Sequence, residues 1–200
     1  MVRTAIVLAT EDLLSEEIGL RLAAEVDLKV GQKLRKGGNG YLKTRIKNFC
    51  EISRHMPVFV LADLDREVCP VRMLQSWFRI HRPTPNLVLR IAVTEIESWL
   101  LADHRAVSAL LKSQLGAIPR EPDSLTDPKA TLIRLARRAP KQVRNDLVPS
   151  AGSIASQGLG YNQRLSELVR TTWEPDRAAN RSPSLRRARE ALRKLASQLP

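Results

Sequence analysis

Val58-Phe59-Val60-Leu61-Ala62-Asp63-Leu64-Asp65 decides the fold. The apolar run from Val58 to Ala62 reads as a strand buried on both faces, as in the middle of a parallel sheet. Two acids follow, one residue apart. In an extended chain, residues two apart point the same way, so Asp63 and Asp65 are expected to share a side with Cα atoms about 7 Å apart. Same-side carboxylates at the end of a buried strand are costly unless positive charge sits beside them. A hard divalent cation such as Mg2+ suits them, because it takes a few carboxylate oxygens plus waters. The competing reading is structural: one Asp caps the following helix and the other pairs with an arginine.

Working outward, Thr4 to Ala9 and Leu87 to Val93 read as two more buried strands. Val26 to Leu34 alternates apolar and polar, which predicts a half-exposed strand nearer the sheet edge. Helical spacing separates these strands. Leu14, Ile18 and Leu22 lie four apart, Leu42, Ile46 and Phe49 mark the inward face of a helix from Tyr41 to Ser53, and a further helix runs from about Val71 to Ile80. This alternation predicts an α/β fold, doubly wound, with a mostly parallel sheet flanked by helices.

Ligands bind such sheets at the carboxyl ends of the strands. Glu11 follows the first strand, Asp63 and Asp65 a later one, and Glu95 the last, so acids from several strand ends converge on one rim. Plain helix chemistry competes at each place. Glu11 and Asp12 suit a helix N-terminus, Thr94 with Glu97 reads as a capping box, and Glu16 and Glu17 read as solvated surface. The basic turn Arg35-Lys36-Gly37-Gly38-Asn39-Gly40 lacks the spacing of a phosphate-binding loop.

From Leu115 the character changes, which divides the chain into an α/β core over 1–115 and a basic helical extension over 116–200, packed on the core. Asp127-Pro128 starts a helix with Lys129 on its first turn. Pro149 to Gly160 is a Ser/Gly-rich loop, and Asn162 to Thr172 a short helix. Ser182-Pro183 opens the last helix, with Leu185, Ala188, Leu192 and Leu195 inward and Arg186, Arg187, Arg189, Arg193 and Lys194 on a basic face.

The net charge of +12 is uneven: residues 1–100 carry 15 Lys and Arg against 12 Asp and Glu, and residues 101–200 carry 18 against 9. That asymmetry points to a polyanion, or to an acidic partner surface. With 43% hydrophobic residues the chain can bury a real core, which excludes broad disorder. No apolar run is long enough for a membrane span, and Met1 to Ala9 has no signal-peptide pattern. Cys50 and Cys69 read as reduced thiols, and with His55, His81 and His104 scattered they make no zinc motif. A cytoplasmic protein is expected.

Taken together, Leu61-Ala62-Asp63-Leu64-Asp65, the run from Arg90 to Asp103 (with Glu95-Ile96-Glu97-Ser98-Trp99-Leu100-Leu101-Ala102-Asp103 its most specific part) and Asp127-Pro128-Lys129 resemble a small Toprim-like family of unknown function. This is the family numbered four-two-seven-six among domains of unknown function, related to Toprim and overcoming-lysogenization-defect nucleases. The likeness covers most of the chain. It implies a compact Toprim-like (Rossmann-like) core, Mg2+ or Mn2+ at the rim, phosphodiester chemistry on nucleic acid, and an ATPase partner in a bacterial anti-phage defence system. Many Toprim proteins carry Glu-Gly after the first strand; here the turn is Ala9-Thr10-Glu11-Asp12.

On this reading the chain is a metal-dependent nuclease acting on DNA before RNA. Asp63 and Asp65 hold the metal, Glu11 is a ligand or general base, Glu95 or Glu97 serves a second metal, and Lys129 touches phosphate. A rival reading makes the acids structural and the chain a binding module, as a monomer or an oligomer. A third, a haloacid-dehalogenase-type phosphatase, requires its Asp-x-Asp after the first strand, where this chain has none.

Overall fold

The structure, a computed structural model, describes residues 5–36, 39–67 and 69–199; Thr4, Gly37 and Gly38, which fall within stretches read above, lie outside the described residues. Among the described residues four strands form one sheet in the order β2-β1-β3-β4, with β1 Ala5–Thr10, β2 Lys29–Arg35, β3 Val58–Asp63 and β4 Leu87–Ala92. Every pairing is parallel. This is a Rossmann-like α/β fold, with the alternating β2 at an edge as its pattern predicted.

Side-chain alternation splits the sheet residues between two cores. Ile6, Leu8, Phe59, Leu61 and Ala92 face one layer. Val7, Ala9, Val58, Val60 and Ala62 face the other. The first layer holds α1 (Leu13–Ala24), α5 (Glu97–Ala102) and α6 (His104–Leu111). It also holds α7 (Pro128–Ala136), α8 (Lys141–Leu147), α9 (Tyr161–Thr171), α10 (Pro175–Ala179) and α11 (Pro183–Ser197). The second layer holds α2 (Asn39–Thr44), α3 (Ile46–Ile52) and α4 (Pro70–Trp77). The helices beyond residue 115 thus contribute Leu132, Tyr161, Leu165, Trp173 and Leu192 to the same buried cluster as β1 and β3.

Two tryptophans knit that layer together. The Trp99 ring N–H donates to Ser184 Oγ at 2.7 Å, and the Trp173 ring N–H donates to the Trp99 carbonyl at 3.0 Å. α5, which follows the last strand, is thereby tied to the connection between α9 and α10 and to the start of α11. Helix starts follow the capping rules read in the sequence. Asp12, Asp103, Asp127 and Ser182 each accept a backbone N–H from the residue three positions on. Each such cap contributes about 1 kcal/mol.

Three local expectations are corrected. The helix expected from Tyr41 to Ser53 breaks at Arg45, where the Thr44 hydroxyl donates to the Tyr41 carbonyl and bends the chain. Glu16 is buried rather than solvated, because α1 presents it to β2, where Lys33 and Arg35 hold its two oxygens at 2.9 and 3.1 Å. Arg189 is buried rather than part of a basic surface; Glu25 and Asp176 hold it.

Candidate functional site

The strand order reverses between β1 and β3, since one connection leaves β1 toward β2 and the next passes back to β3. Crevices at such a reversal, outside the carboxyl ends of the strands, are where open α/β sheets take ligands. Glu11 and Asp63 stand there. Glu11 Oε1 accepts the Asp63 backbone N–H at 2.9 Å, which ties the two strand ends together.

Burial dominates the electrostatics of this pair. Glu11 is 8% exposed, and desolvation pushes its pKa up to about 7; the Asp63 N–H opposes the rise, and Asp65 and Asp12 add to it. Asp63 is pushed well above the usual carboxylate range, first by desolvation, then by the negative charges of Glu11, Glu97, Asp12 and Asp65. The charge of Glu11 raises the proton affinity of Asp63, and those of Asp65 and Asp12 raise both.

The geometry of Asp65 differs from the extended one expected. β3 ends at Asp63, and Asp65 is left-handed at φ 50°. Its N–H donates to the carbonyl of Thr94 at 2.8 Å, and Thr94 is itself left-handed at φ 65°. Thr94 therefore lacks the extended backbone of an N-cap. The capping box expected with Glu97 does not form: α5 starts without a side-chain cap, and the Thr94 hydroxyl donates instead to the Leu125 carbonyl.

Glu95 and Glu97 both join the rim. Glu95 Oε2 accepts the backbone N–H of Lys129 in the first turn of α7 at 2.9 Å. Desolvation raises the Glu95 pKa, and the Lys129 N–H and ammonium lower it. Glu97, 5% exposed, accepts the Tyr161 hydroxyl at 2.8 Å. Its pKa is driven up to about 7 by desolvation, against the Tyr161 hydrogen bond. The Tyr161 hydroxyl is in turn held well above its ordinary pKa by burial and by Glu97. The Lys129 ammonium lies 5.2 Å from the Tyr161 ring centroid, the geometry of a cation over an aromatic face.

Glu11, Asp63, Asp65, Glu95, Glu97 and Lys129 are therefore gathered in one region, linked by hydrogen bonds or by mutual electrostatics. A cleft of about 730 Å3 opens beside them, lined by Asp65, Glu67, Thr94, Glu95 and Asp127 among others. Tyr161 escaped the sequence reading, which began its helix one residue later. The signal for it was a tyrosine opening an amphipathic helix, since a buried phenol requires a hydrogen-bond partner.

Among the described residues, no three Asp, Glu, His or Cys side chains are close enough to form an ion cage. Mg2+ does not require one, since it commonly takes one or two carboxylates and keeps its waters. The donor set fits it: oxygen ligands only, two of them, Glu11 and Asp63, desolvated and the third, Asp65, open to solvent. Fold and site define a parallel α/β protein with an acidic rim at its switch point. No family, no curated protein and no solved structure matches the chain. No helix among the described residues is long and apolar enough to cross a membrane.

Proposed function

We propose that this chain is a metal-dependent nuclease that hydrolyses phosphodiester bonds, acting on DNA before RNA with an ATPase partner in anti-phage defence. The observation that supports it most is the pair of desolvated carboxyls, Glu11 and Asp63, at the switch point, with the exposed Asp65 carboxylate beside them. Asp63 and Asp65 would hold Mg2+ or Mn2+, with Glu11 beside them and Glu95 or Glu97 serving a second ion. The bound ions would supply charge neutralisation at the scissile phosphate and acidify a water. Glu11, beside the ions, would take the proton of an attacking water. Lys129 opposes the charge of Glu95 and Glu97 and would meet a phosphate. The basic second half of the chain supplies backbone attraction without base readout.

The left-handed Thr94 adds support. A β-branched residue at positive φ is a backbone outlier, and such strain clusters at functional sites. A second reading draws on the partners that several acids already have. Asp12 and Asp127 cap helices, Glu95 anchors α7 and Glu97 anchors Tyr161. On that reading the rim is a structural device and the chain a binding module for nucleic acid or a partner protein.

One experiment separates the two. Plasmid, linear single-stranded DNA and RNA are incubated with wild type and Asp63→Ala in Mg2+, Mn2+ or EDTA, and nucleic-acid binding is followed by anisotropy. Cleavage that needs the metal and is lost in the variant, with binding retained, is the expected result. Equal loss of binding and cleavage counts against the assignment of Asp63. Absence of metal-dependent cleavage, with the ATPase present or absent, favours the binding module.

A further inference from the structure

The two edges of the sheet are built differently. β2 carries Lys29, Lys33 and Arg35, and its register with β1 shifts so that Ile6 pairs with Val30 but Val7 with Gln32. Charge and a bulge are the usual devices that stop an edge from recruiting another strand. β4, at the opposite edge, reads Leu87-Val88-Leu89-Arg90-Ile91-Ala92 and pairs with β3 without a shift. It has no proline and no bulge, and its one charge is Arg90.

The bonding of β4 to β3 sets which of its groups face outward. The Val58 N–H donates to the Asn86 carbonyl and the Leu64 N–H to the Ala92 carbonyl. With a period of two, Val88 and Arg90 also turn their polar backbone groups toward β3, and Leu89 and Ile91 turn theirs outward. An open groove of about 440 Å3 straddles this edge. Leu74 of α4 and Phe78 just beyond it wall one side, and Lys194 and Leu195 of α11 the other.

Arg90 gives the groove its charge. It is half-buried, and its Nε has no hydrogen-bond partner among the described residues. One terminal N–H reaches the neighbouring Leu89 carbonyl, at a long 3.4 Å. Burial and the like charge of Arg187 lower its pKa, and Glu190 only partly offsets them. A guanidinium so placed is matched by a carboxylate, which takes two of its N–H groups together.

We propose that the β4 edge accepts an extended segment of a partner protein as a fifth strand, with an acidic side chain of that segment paired to Arg90. The outward groups of Leu89 and Ile91 supply the backbone ladder, and the apolar walls receive alternate side chains. A second copy of this chain is the wrong occupant. Pairing β4 with itself brings Arg90 and Lys194 of one copy against those of the other, between chains that each carry +12. The proposal is independent of any cleavage activity at the acidic rim.

The test uses the full chain and a labelled, acetylated eight-residue peptide of alternating valine and threonine with one central glutamate. Saturable binding is expected, with slowed hydrogen exchange at the Leu89 and Ile91 amides and none at β2. Arg90→Gln should weaken binding about tenfold, the scale of a lost charge-assisted hydrogen bond. Against a peptide with glutamine in place of glutamate, the same variant should make little difference. Lys194→Glu, at an exposed position, should weaken binding about threefold and guards against misfolding of the Arg90 variant. N-methylating the peptide amides that face β4 should abolish binding with the protein unchanged. No saturable binding at millimolar peptide overturns the proposal. So does equal binding of the N-methylated peptide, or protection of the same amides by a single-stranded oligonucleotide or by self-association instead.

Discussion

Asp65 donates its backbone N–H to the carbonyl of Thr94 at 2.8 Å, and both residues are left-handed, at φ 50° and 65°. The bond joins the ends of β3 and β4 just where the cleft opens. Neither residue is glycine, although glycine adopts this conformation at least cost. Asp65→Gly should therefore relieve backbone strain and remove a negative charge beside Glu11 and Asp63. Glycine's greater freedom in the unfolded chain offsets part of the gain. The expected net effect is a stabilisation of about 0.5–1 kcal/mol, read as a rise in melting temperature, together with loss of metal-dependent cleavage. A destabilised Asp65→Gly would instead mark its carboxylate as a structural group.

The carboxyls at the switch point make stability fall as pH rises. Glu11 and Glu97 both move from 4.5 up to about 7 on folding, and Asp63 moves the same way. The native state then binds protons more tightly than the unfolded chain. That stabilisation is complete below about 4.5 and is lost as pH climbs through about 7. Thermal melts should show a higher midpoint near pH 5.5 than near pH 8. Mg2+ should raise the midpoint more at pH 8, where the carboxyls are ionised. Glu11→Gln keeps an oxygen for the Asp63 N–H and should flatten both dependences. An unchanged pH slope in that variant would remove Glu11 as its source.

The Tyr161 hydroxyl holds Glu97 from 64 residues away in sequence. Tyr161→Phe leaves a buried carboxyl without that donor. The expected cost is about 1–3 kcal/mol by denaturant unfolding. It should be larger at pH 8 than at pH 6, because the hydrogen bond favours the ionised form of Glu97. Glu97→Gln in the same background should remove the pH dependence of the loss. A cost equal at both pH values would mean that the hydroxyl matters through packing alone.

β1, β3 and β4 were legible because each is a short apolar run, and β2 and its edge position because its residues alternate. The acids of the rim were legible because they close those runs. What hid from the sequence is set by residues distant along the chain. Thr94 and Glu97 have the spacing of a capping box, but the bond between Thr94 and Leu125 helps place Thr94 where no cap forms. Asp63 and Asp65 have the spacing of a shared face, but the strand stops between them. Tyr161 reaches Glu97 only once α9 has packed against the first layer. Local spacing states what a segment prefers; packing decides which preference is met.

The last helix shows the same division and gives a direct contrast. α11 presents five basic residues that the sequence groups on one polar face. Arg186, Arg187, Arg193 and Lys194 are exposed, but Arg189 is 6% exposed. Its guanidinium spans Glu25 at the end of α1, at 2.7 and 3.0 Å, and Asp176 of α10 at 3.1 Å. It therefore ties three helices of the first layer together. The carboxylates left behind by Arg189→Ala are open to solvent, so the loss is that of charged hydrogen bonds and packing, about 1–3 kcal/mol. Arg186→Ala and Arg193→Ala should change stability by less than about 0.5 kcal/mol. If these two exposed arginines track a nucleic-acid backbone, their removal should weaken binding and flatten its dependence on salt. Urea unfolding and salt-dependent anisotropy on the three variants measure both effects. A stable Arg189→Ala with impaired binding would return this residue to the basic face from which the structure removes it.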